Sequence, residues 1–199
     1  MKCRKLMMLL LVCAGAFMVS GISVSGILKP KIFSWSKLSA FHLMNTAGKN
    51  SSLVSDQPTV LVMLSPECPL CQNYVATIAK LKLKFPKILF YGLVPGKAYS
   101  TAELAEFVRK YKVNFPVLID KNKSLTQYIH ATTTPEAVVI DRMGAVPYRG
   151  LIDNWAVSLG QKRQIINEHY LEDALTELNA NKISPYKETK PVGCLINDL

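Results

Sequence analysis

Two cysteines separated by two residues carry the clearest chemical signal in this 199-residue chain. Cys68 and Cys71 form a Cys-x-x-Cys motif, which proteins use either as half of a zinc site or as a redox-active dithiol. A zinc ion needs about two further thiolate or imidazole ligands, and neither Cys194 nor the three histidines supply a second closely spaced pair. The motif therefore favours thiol–disulfide exchange, with no metal and no other cofactor. A purely structural disulfide is disfavoured, because so small a loop restricts the unfolded chain little.

The position of the motif predicts different roles for its two sulfur atoms. The apolar run 59–64 predicts a buried strand before it, and helical periodicity over 69–85 predicts a helix after it. Cys68 would lie at the strand-to-helix junction, where free backbone N–H groups and the helix dipole lower a thiol pKa, so it is the predicted attacking sulfur. Cys71 lies one helical turn further along the same face, so it is the predicted resolving sulfur. Pro69 suits the first helical turn, where its missing N–H costs no hydrogen bond.

The rest of the chain alternates strand and helix patterns. Two short strands joined by a turn at 47–50 precede the buried strand, and capping-box spacing at 100–103 marks the start of a later helix. This order predicts an α/β fold with a central mixed sheet flanked by helices and an N-terminal strand extension. Further strands are predicted at 88–94, 116–120, 136–141 and 146–152, and further helices at 101–112, 123–130 and 164–181.

Residues 1–28 predict a signal sequence or a membrane anchor. Basic residues precede an uncharged stretch, residues 6–28, which at about 1.5 Å per residue is long enough to span the roughly 30 Å hydrocarbon core of a bilayer. The small residues over 20–26 are typical of the region before a signal-peptidase cut, so a cleaved signal stays open. Both alternatives place the domain in a bacterial cell envelope, either anchored to the inner membrane with a periplasmic domain or secreted to the periplasm.

The formal net charge of +10 does not by itself indicate a nucleic-acid partner. Five of the 24 basic residues lie at or before residue 31, and all 14 acidic residues lie beyond it, so the domain carries only about +5. Its lysines occur in amphipathic stretches such as 80–84, which is typical of a solvated helix face. We expect a membrane partner through residues 6–28 and no nucleic acid.

Three segments of the sequence resemble the redoxin branch of the thioredoxin superfamily, which includes membrane-tethered thioredoxin-like proteins and peroxiredoxin-like AhpC/TSA proteins. The resemblance implies a thioredoxin-like domain over residues 37–182, preceded by a linker at 29–36 and followed by an irregular tail at 183–199. The segments that carry the resemblance are 60–71, 133–141 and 148–153.

The same resemblance implies a substrate-binding edge. In the family, the proline that matches Pro135 is cis and lies beside the dithiol, and the residue before it, here Thr134, pairs through its backbone with the substrate chain. Pro135 is therefore a candidate catalytic residue, and Thr134, Pro69 and Leu70 are candidate substrate-binding residues. The implied partners are a protein disulfide substrate and an upstream thiol electron donor.

The sequence departs from the thioredoxin pattern around the motif. Glu67 stands where thioredoxins carry an aromatic residue, and Val62 replaces their buried acid. Glu136, which follows the candidate cis proline as in some tethered reductases, could handle protons for Cys71, with a solvated salt bridge as the alternative. Cys194 lies in a tail that resembles the ending of some peroxiredoxin-like redoxins, and is either a third redox thiol or an inert one.

Two other functions stay open. Peroxiredoxins place a proline and a threonine or serine seven and three residues before the reactive cysteine; Ser65 fits the second position, but Leu61 replaces the proline. A non-enzymatic copper carrier is the other alternative, since paired thiolates bind Cu(I) well, with His130 the nearest loop histidine. The sequence favours an oxidoreductase that exchanges disulfides with a protein, and the direction of electron flow stays open.

Overall fold

The computed structural model describes residues 31–182 and 187–197. The predicted signal or anchor, residues 1–28, and the first part of the tail lie outside the described residues. Among the helices within those two ranges, none combines the length and the apolar character that a membrane crossing requires.

A mixed eight-stranded sheet forms the centre of the domain, as the sequence predicted. The strands of this sheet are β1 (Leu43–Asn45), β2 (Asn50–Ser51), β3 (Thr59–Met63), β4 (Leu89–Pro95), β5 (Val117–Asp120), β7 (Glu136–Ile140), β8 (Tyr148–Gly150) and β11 (Lys187–Glu188), in the spatial order β11-β8-β7-β3-β4-β5-β1-β2. β3, β4 and β5 run parallel, whereas β7 pairs antiparallel with β3, and β8 antiparallel with β7. Two small sheets pair β6 (Thr133–Thr134) with β12 (Cys194–Leu195) and β9 (Ala156–Ser158) with β10 (Gln161–Lys162).

Helices cover both faces of this sheet. Successive side chains of β3 point to opposite faces, and they pack alternately into two hydrophobic clusters. The helices are α1 (Trp35–Ser39), α2 (Pro69–Lys84), α3 (Thr101–Lys110), α4 (Ser124–Tyr128) and α5 (Tyr170–Asn179). Val60 and Val62 belong to the cluster that includes buried residues of α2, α3 and α5. Leu61 and Met63 belong to the cluster that includes residues of α1 and α4. With both faces buried, β3 is the central strand that its continuous apolar run predicted.

Two helix starts show where local sequence decides and where it does not. α3 begins with the predicted capping box, in which the Glu103 N–H donates to Ser100 Oγ at 3.2 Å and the Ser100 N–H donates to Glu103 Oε2 at 2.7 Å. α5 begins six residues later than the pattern indicated. The N–H groups of Asn167 and Glu168 donate to Asn154 Oδ1, at 3.2 and 3.4 Å, and these bonds hold that stretch outside the helix.

The tail, which we expected to be irregular, contains two strands of two residues each. β11 extends the sheet along β8, and the Leu151 N–H donates to Thr189 Oγ1 at 2.8 Å. Gly150 permits this approach: its φ is +127°, and a β-carbon there would lie 2.1 Å from the Thr189 carbonyl oxygen. Strands this short show no periodicity, so sequence patterns do not reveal them.

A buried ion pair connects β7 with β8. Arg149 donates to the Glu136 carboxylate, with its Nε 3.1 Å from Oε1, and the Thr132 N–H donates to Oε2 at 3.0 Å. Arg149 also donates to the carbonyl oxygens of Ile129 and His130, at 3.2 and 2.8 Å. Glu136 is only 1% exposed, so this pair is not the solvated salt bridge that we gave as one alternative.

We expect Glu136→Gln to lower the free energy of unfolding by about 3 kcal/mol, because a buried guanidinium would lose the charge that compensates it. Glu188→Gln is the matched control, since its half-exposed carboxylate lies 3.7 Å from Arg149 and should contribute less than about 1 kcal/mol. Urea denaturation of both variants measures the difference. Equal effects would show that burial does not decide the strength of these two pairs.

Candidate active site

Cys68 occupies the junction at which the chain leaves β3 and enters α2. It is the N-cap residue of α2, with an extended backbone, and Pro69 fills the first helical position as predicted. The Gln72 N–H donates to the Cys68 carbonyl oxygen at 3.1 Å, which starts the helical hydrogen bonding. The sulfur of Cys68 therefore lies at the positive end of the helix dipole.

Cys71 lies one turn inside α2 and has no exposed surface. The Ser65 N–H donates to its sulfur at 3.4 Å. Burial raises the pKa of the Cys71 thiol well above its usual range, and the hydrogen bond and charge of Cys68 add to that increase. Leu70 is buried in the hydrophobic core as well, whereas Pro69 is exposed.

The surroundings of Cys68 favour the thiolate form of its sulfur. A hydrogen bond from the Cys71 thiol is the main reason that the pKa of Cys68 is lowered to about 5; burial opposes this, and a hydrogen bond from the Cys194 thiol assists. The backbone N–H groups of Cys71 and Cys194 also lower this pKa. Opposite pKa shifts at Cys68 and Cys71 suit one sulfur for attack and the other for a later step.

The candidate substrate-binding edge lies directly against the dithiol. The peptide bond between Thr134 and Pro135 is cis, and the Thr134 carbonyl oxygen lies 3.3 Å from the Cys68 sulfur. The structure thus brings Cys68, Cys71 and Thr134 together, as the family resemblance implied. The substrate-binding roles of Thr134, Pro69 and Leu70 and the catalytic role of Pro135 stay predictions.

Cys194 is the residue whose location sequence reasoning did not supply. In β12 it pairs with Thr134 of β6, and its sulfur lies 2.7 Å from that of Cys68. Cys68, Cys71 and Cys194 are all free thiols. Burial, followed by the hydrogen bond and charge of Cys68, raises the pKa of Cys194 to about 11. The resemblance of the tail to other redoxins pointed to Cys194 but not to its position.

Two other predicted residues have partners of their own around the site. Both carboxylate oxygens of Glu136 accept hydrogen bonds from Arg149 and Thr132, so its role in proton handling stays a prediction. The Ser65 hydroxyl lies 2.9 Å from that of Tyr99. Ser65, Tyr99 and Cys194 line the same groove, which has a volume of about 360 Å³. Within the described ranges no group of three or more His, Cys, Asp or Glu residues is arranged to hold a metal ion.

Comparison with known proteins supports the fold. The model of the AhpC/TSA family matches residues 36–149, and no curated protein matches the chain. An uncharacterized conserved protein from Geobacillus kaustophilus is 20% identical, with a TM-score of 0.66 over 86% of this chain and 93% of that one. A hypothetical protein from Sinorhizobium meliloti 1021 is 18% identical, with a TM-score of 0.66 over 84% and 96% of the two chains.

A third similar structure has a described activity. It is a secreted Mycobacterium tuberculosis disulfide oxidoreductase homologous to E. coli DsbE, 18% identical to this chain, with a TM-score of 0.54 over 74% of this chain and 99% of that one. At these identities the likenesses show a shared thioredoxin-like fold. The predicted fold class is thereby confirmed.

We expect alkylation of Cys68 by iodoacetamide to be half-maximal at about pH 5, because only the thiolate reacts and its fraction rises as the pH increases through the pKa. Cys71→Ala should move this midpoint to higher pH, and Cys194→Ala should move it by less, because the Cys71 hydrogen bond lowers the pKa most. Peptide mapping of the alkylated chain gives the rate for each cysteine. Faster alkylation of Cys71 than of Cys68 would contradict the assignment of the attacking sulfur.

Proposed function

The chain belongs to the AhpC/TSA family, and on this premise we propose that it is a thiol–disulfide oxidoreductase that exchanges disulfides with a protein partner. One observation carries the proposal: Cys68 lies at the N-cap of α2, with its sulfur 3.3 Å from the carbonyl oxygen of Thr134, and Cys71 lies fully buried one turn further along the same helix. This is the arrangement that a two-step exchange needs, with one sulfur ionised for the first attack and the other protonated until the second.

The first step joins Cys68 to the substrate. The Cys68 thiolate attacks one sulfur of a substrate disulfide, a bond forms between these two sulfur atoms, and the substrate S–S bond breaks. The electron pair leaves with the second substrate sulfur, which takes up a proton. A mixed disulfide remains between the enzyme and its substrate.

The second step releases the substrate through Cys71. While Cys68 is a thiolate, its negative charge helps to keep the Cys71 thiol protonated. Formation of the mixed disulfide removes that charge, so Cys71 gives up its proton more readily and attacks the Cys68 sulfur. The substrate leaves as a dithiol, and the enzyme keeps a disulfide between Cys68 and Cys71, which an upstream thiol donor reduces. The same steps in reverse oxidise a substrate.

The substrate is proposed to align along Thr134. A substrate strand beside β6 would present its disulfide to Cys68, because the Thr134 carbonyl oxygen lies 3.3 Å from the Cys68 sulfur. The exposed ring of Pro69 at the start of α2 would contact the same strand.

A thiol peroxidase fits the site less well. Leu61, at the position of the peroxiredoxin proline, is fully buried within β3, and the Ser65 hydroxyl is within hydrogen-bond distance of Tyr99. The described ranges hold no group of three or more His, Cys, Asp or Glu residues arranged to bind a metal ion, so nothing beyond the thiols themselves supports a copper carrier.

We also propose a location in the cell envelope. The support is the apolar stretch 6–28 of the sequence together with the secreted disulfide oxidoreductase among the similar structures. An oxidising compartment permits the disulfide chemistry that the cytosol suppresses.

Reduction of insulin disulfides with dithiothreitol as electron donor tests the proposed activity. All variants should carry Cys3, Cys13 and Cys194 as Ser, since the last sulfur lies 2.7 Å from Cys68. Further replacement of Cys68 should abolish turnover. Cys71→Ser should slow turnover by about tenfold or more and accumulate insulin on Cys68, because the releasing nucleophile is lost.

Two outcomes would contradict this scheme. Equal trapping by the Cys68 and Cys71 variants would show that the roles of the two sulfurs are not distinct. Rapid consumption of hydrogen peroxide by the Cys71→Ser variant, without insulin reduction by the parent protein, would favour the peroxidase.

Cell fractionation tests the location. The full-length chain should sediment with membranes, and protease added from the periplasmic side should digest the domain, because residues 6–28 are expected to anchor it. Soluble periplasmic protein whose N-terminus lies near residue 27 would show a cleaved signal, and soluble cytoplasmic protein would contradict an envelope location.

A further inference from the structure

The C-terminal strand β12 lies on the backbone edge that the proposed function assigns to the substrate. Cys194 pairs antiparallel with Thr134, and Leu195 pairs with Thr133. The Ile196 N–H donates to the Thr132 carbonyl oxygen at 2.9 Å, and Thr134 Oγ1 donates to the Cys194 carbonyl oxygen at 3.3 Å. The tail therefore makes the main-chain contacts that a substrate strand would make there.

The fit of this strand depends on a glycine. Gly193 packs against the backbone of Thr134 so closely that a β-carbon on it would lie 2.0 Å from the Thr134 carbonyl oxygen. That oxygen belongs to the main chain and cannot rotate away as a flexible side chain would. Only glycine at position 193 lets the tail reach Cys68.

The tail also covers the reactive sulfur. Cys68 is only 2% exposed although it lies at a helix end, and the Cys194 sulfur is 2.7 Å away, compared with about 2.05 Å in a disulfide bond. A small shift therefore suffices to join the two sulfurs. Since the pKa of Cys194 is raised to about 11 and that of Cys68 is lowered to about 5, the reduced protein at neutral pH holds a protonated Cys194 against the Cys68 thiolate.

We propose that residues 190–197 form an internal substrate segment whose Cys194 exchanges with the Cys68–Cys71 disulfide, so that an external protein must displace this segment to react. The inference rests on the proposed function. Deprotonated Cys194 attacks the Cys68 sulfur, a bond forms between these two sulfurs, and the bond from Cys68 to Cys71 breaks. The electron pair goes to Cys71, which takes up the proton, so one disulfide replaces another with no net oxidation.

Glutathione disulfide tests this exchange in the full-length chain with Cys3 and Cys13 replaced by Ser. In a Cys71→Ser variant, glutathione first joins Cys68, and Cys194 should then displace it. Intact-mass and peptide mass spectrometry should therefore find a Cys68–Cys194 disulfide and no bound glutathione. The matched Cys71→Ser, Cys194→Ser variant should keep one glutathione on Cys68.

The outcomes separate the two proposals. If the Cys71→Ser variant keeps glutathione on Cys68 while Cys194 stays reduced or carries its own glutathione, the internal segment is wrong and the oxidoreductase proposal stands. If the double variant takes up no glutathione on Cys68, the exchange chemistry of the proposed function fails.

Gly193→Ala tests the position of the segment without removing a sulfur. It should raise the alkylation rate of Cys68 on the order of tenfold, because the added β-carbon cannot coexist with β12 on Thr134 and the covered sulfur opens to solvent. Gly160→Ala is the control for backbone strain away from the tail: its φ is +80°, which strains any side chain, but a β-carbon there meets no atom within 4 Å, so its Cys68 alkylation rate should match the parent protein. Equal rates for all three proteins would overturn the proposal that the tail covers Cys68.

Discussion

The pairing of β3 with β7 is the constraint on which the site depends. In this antiparallel register Met63, the last residue of β3, lies opposite Glu136, the first residue of β7. The chain that continues from Met63 reaches Cys68, and the residue before Glu136 is Pro135. The register therefore brings the dithiol and the Thr134 edge together. A shift by one residue would move every side chain of β7 to the other face of the sheet, which two buried faces do not allow.

The same register determines how Glu136 is used. Its side chain is buried next to β8, where Arg149 compensates its charge, and this pair joins β7, which directly follows the Thr134 edge, to β8, along which the tail is anchored. A charge this deeply buried requires a partner. The carboxylate therefore stabilises the frame of the site, whereas the electrostatics of the sulfurs come mainly from their own hydrogen bonds and from burial.

Local sequence signals predicted the central part of this structure. The apolar run of β3, the proline after Cys68 and the capping box at Ser100 each involve neighbouring residues, and each appears where the sequence placed it. The same signals could not predict contacts between residues that lie far apart in the sequence. Cys194 meets Cys68 across 126 residues, through a strand of two residues that has no periodicity. The burial of Leu70 and of the Glu136–Arg149 pair likewise depends on which elements pack against them.

The contact between Gly150 and Thr189 has a consequence for the choice of partner by this protein. Thr189 stays attached beside β8 through its own hydrogen bonds, so Cys194 can move no further than the five intervening peptide units allow, about 18 Å. Within so small a volume a tethered thiol has an effective concentration in the millimolar range. If the proposed internal segment occupies the site, an external protein at micromolar concentration must compete with it for Cys68 at a concentration disadvantage of about a thousandfold. Contacts outside the disulfide of the external protein would have to supply the missing binding energy. The short tether thus sets a minimum affinity that an external protein must have for this domain, and proteins that bind the domain through surfaces beside their disulfide are favoured as partners.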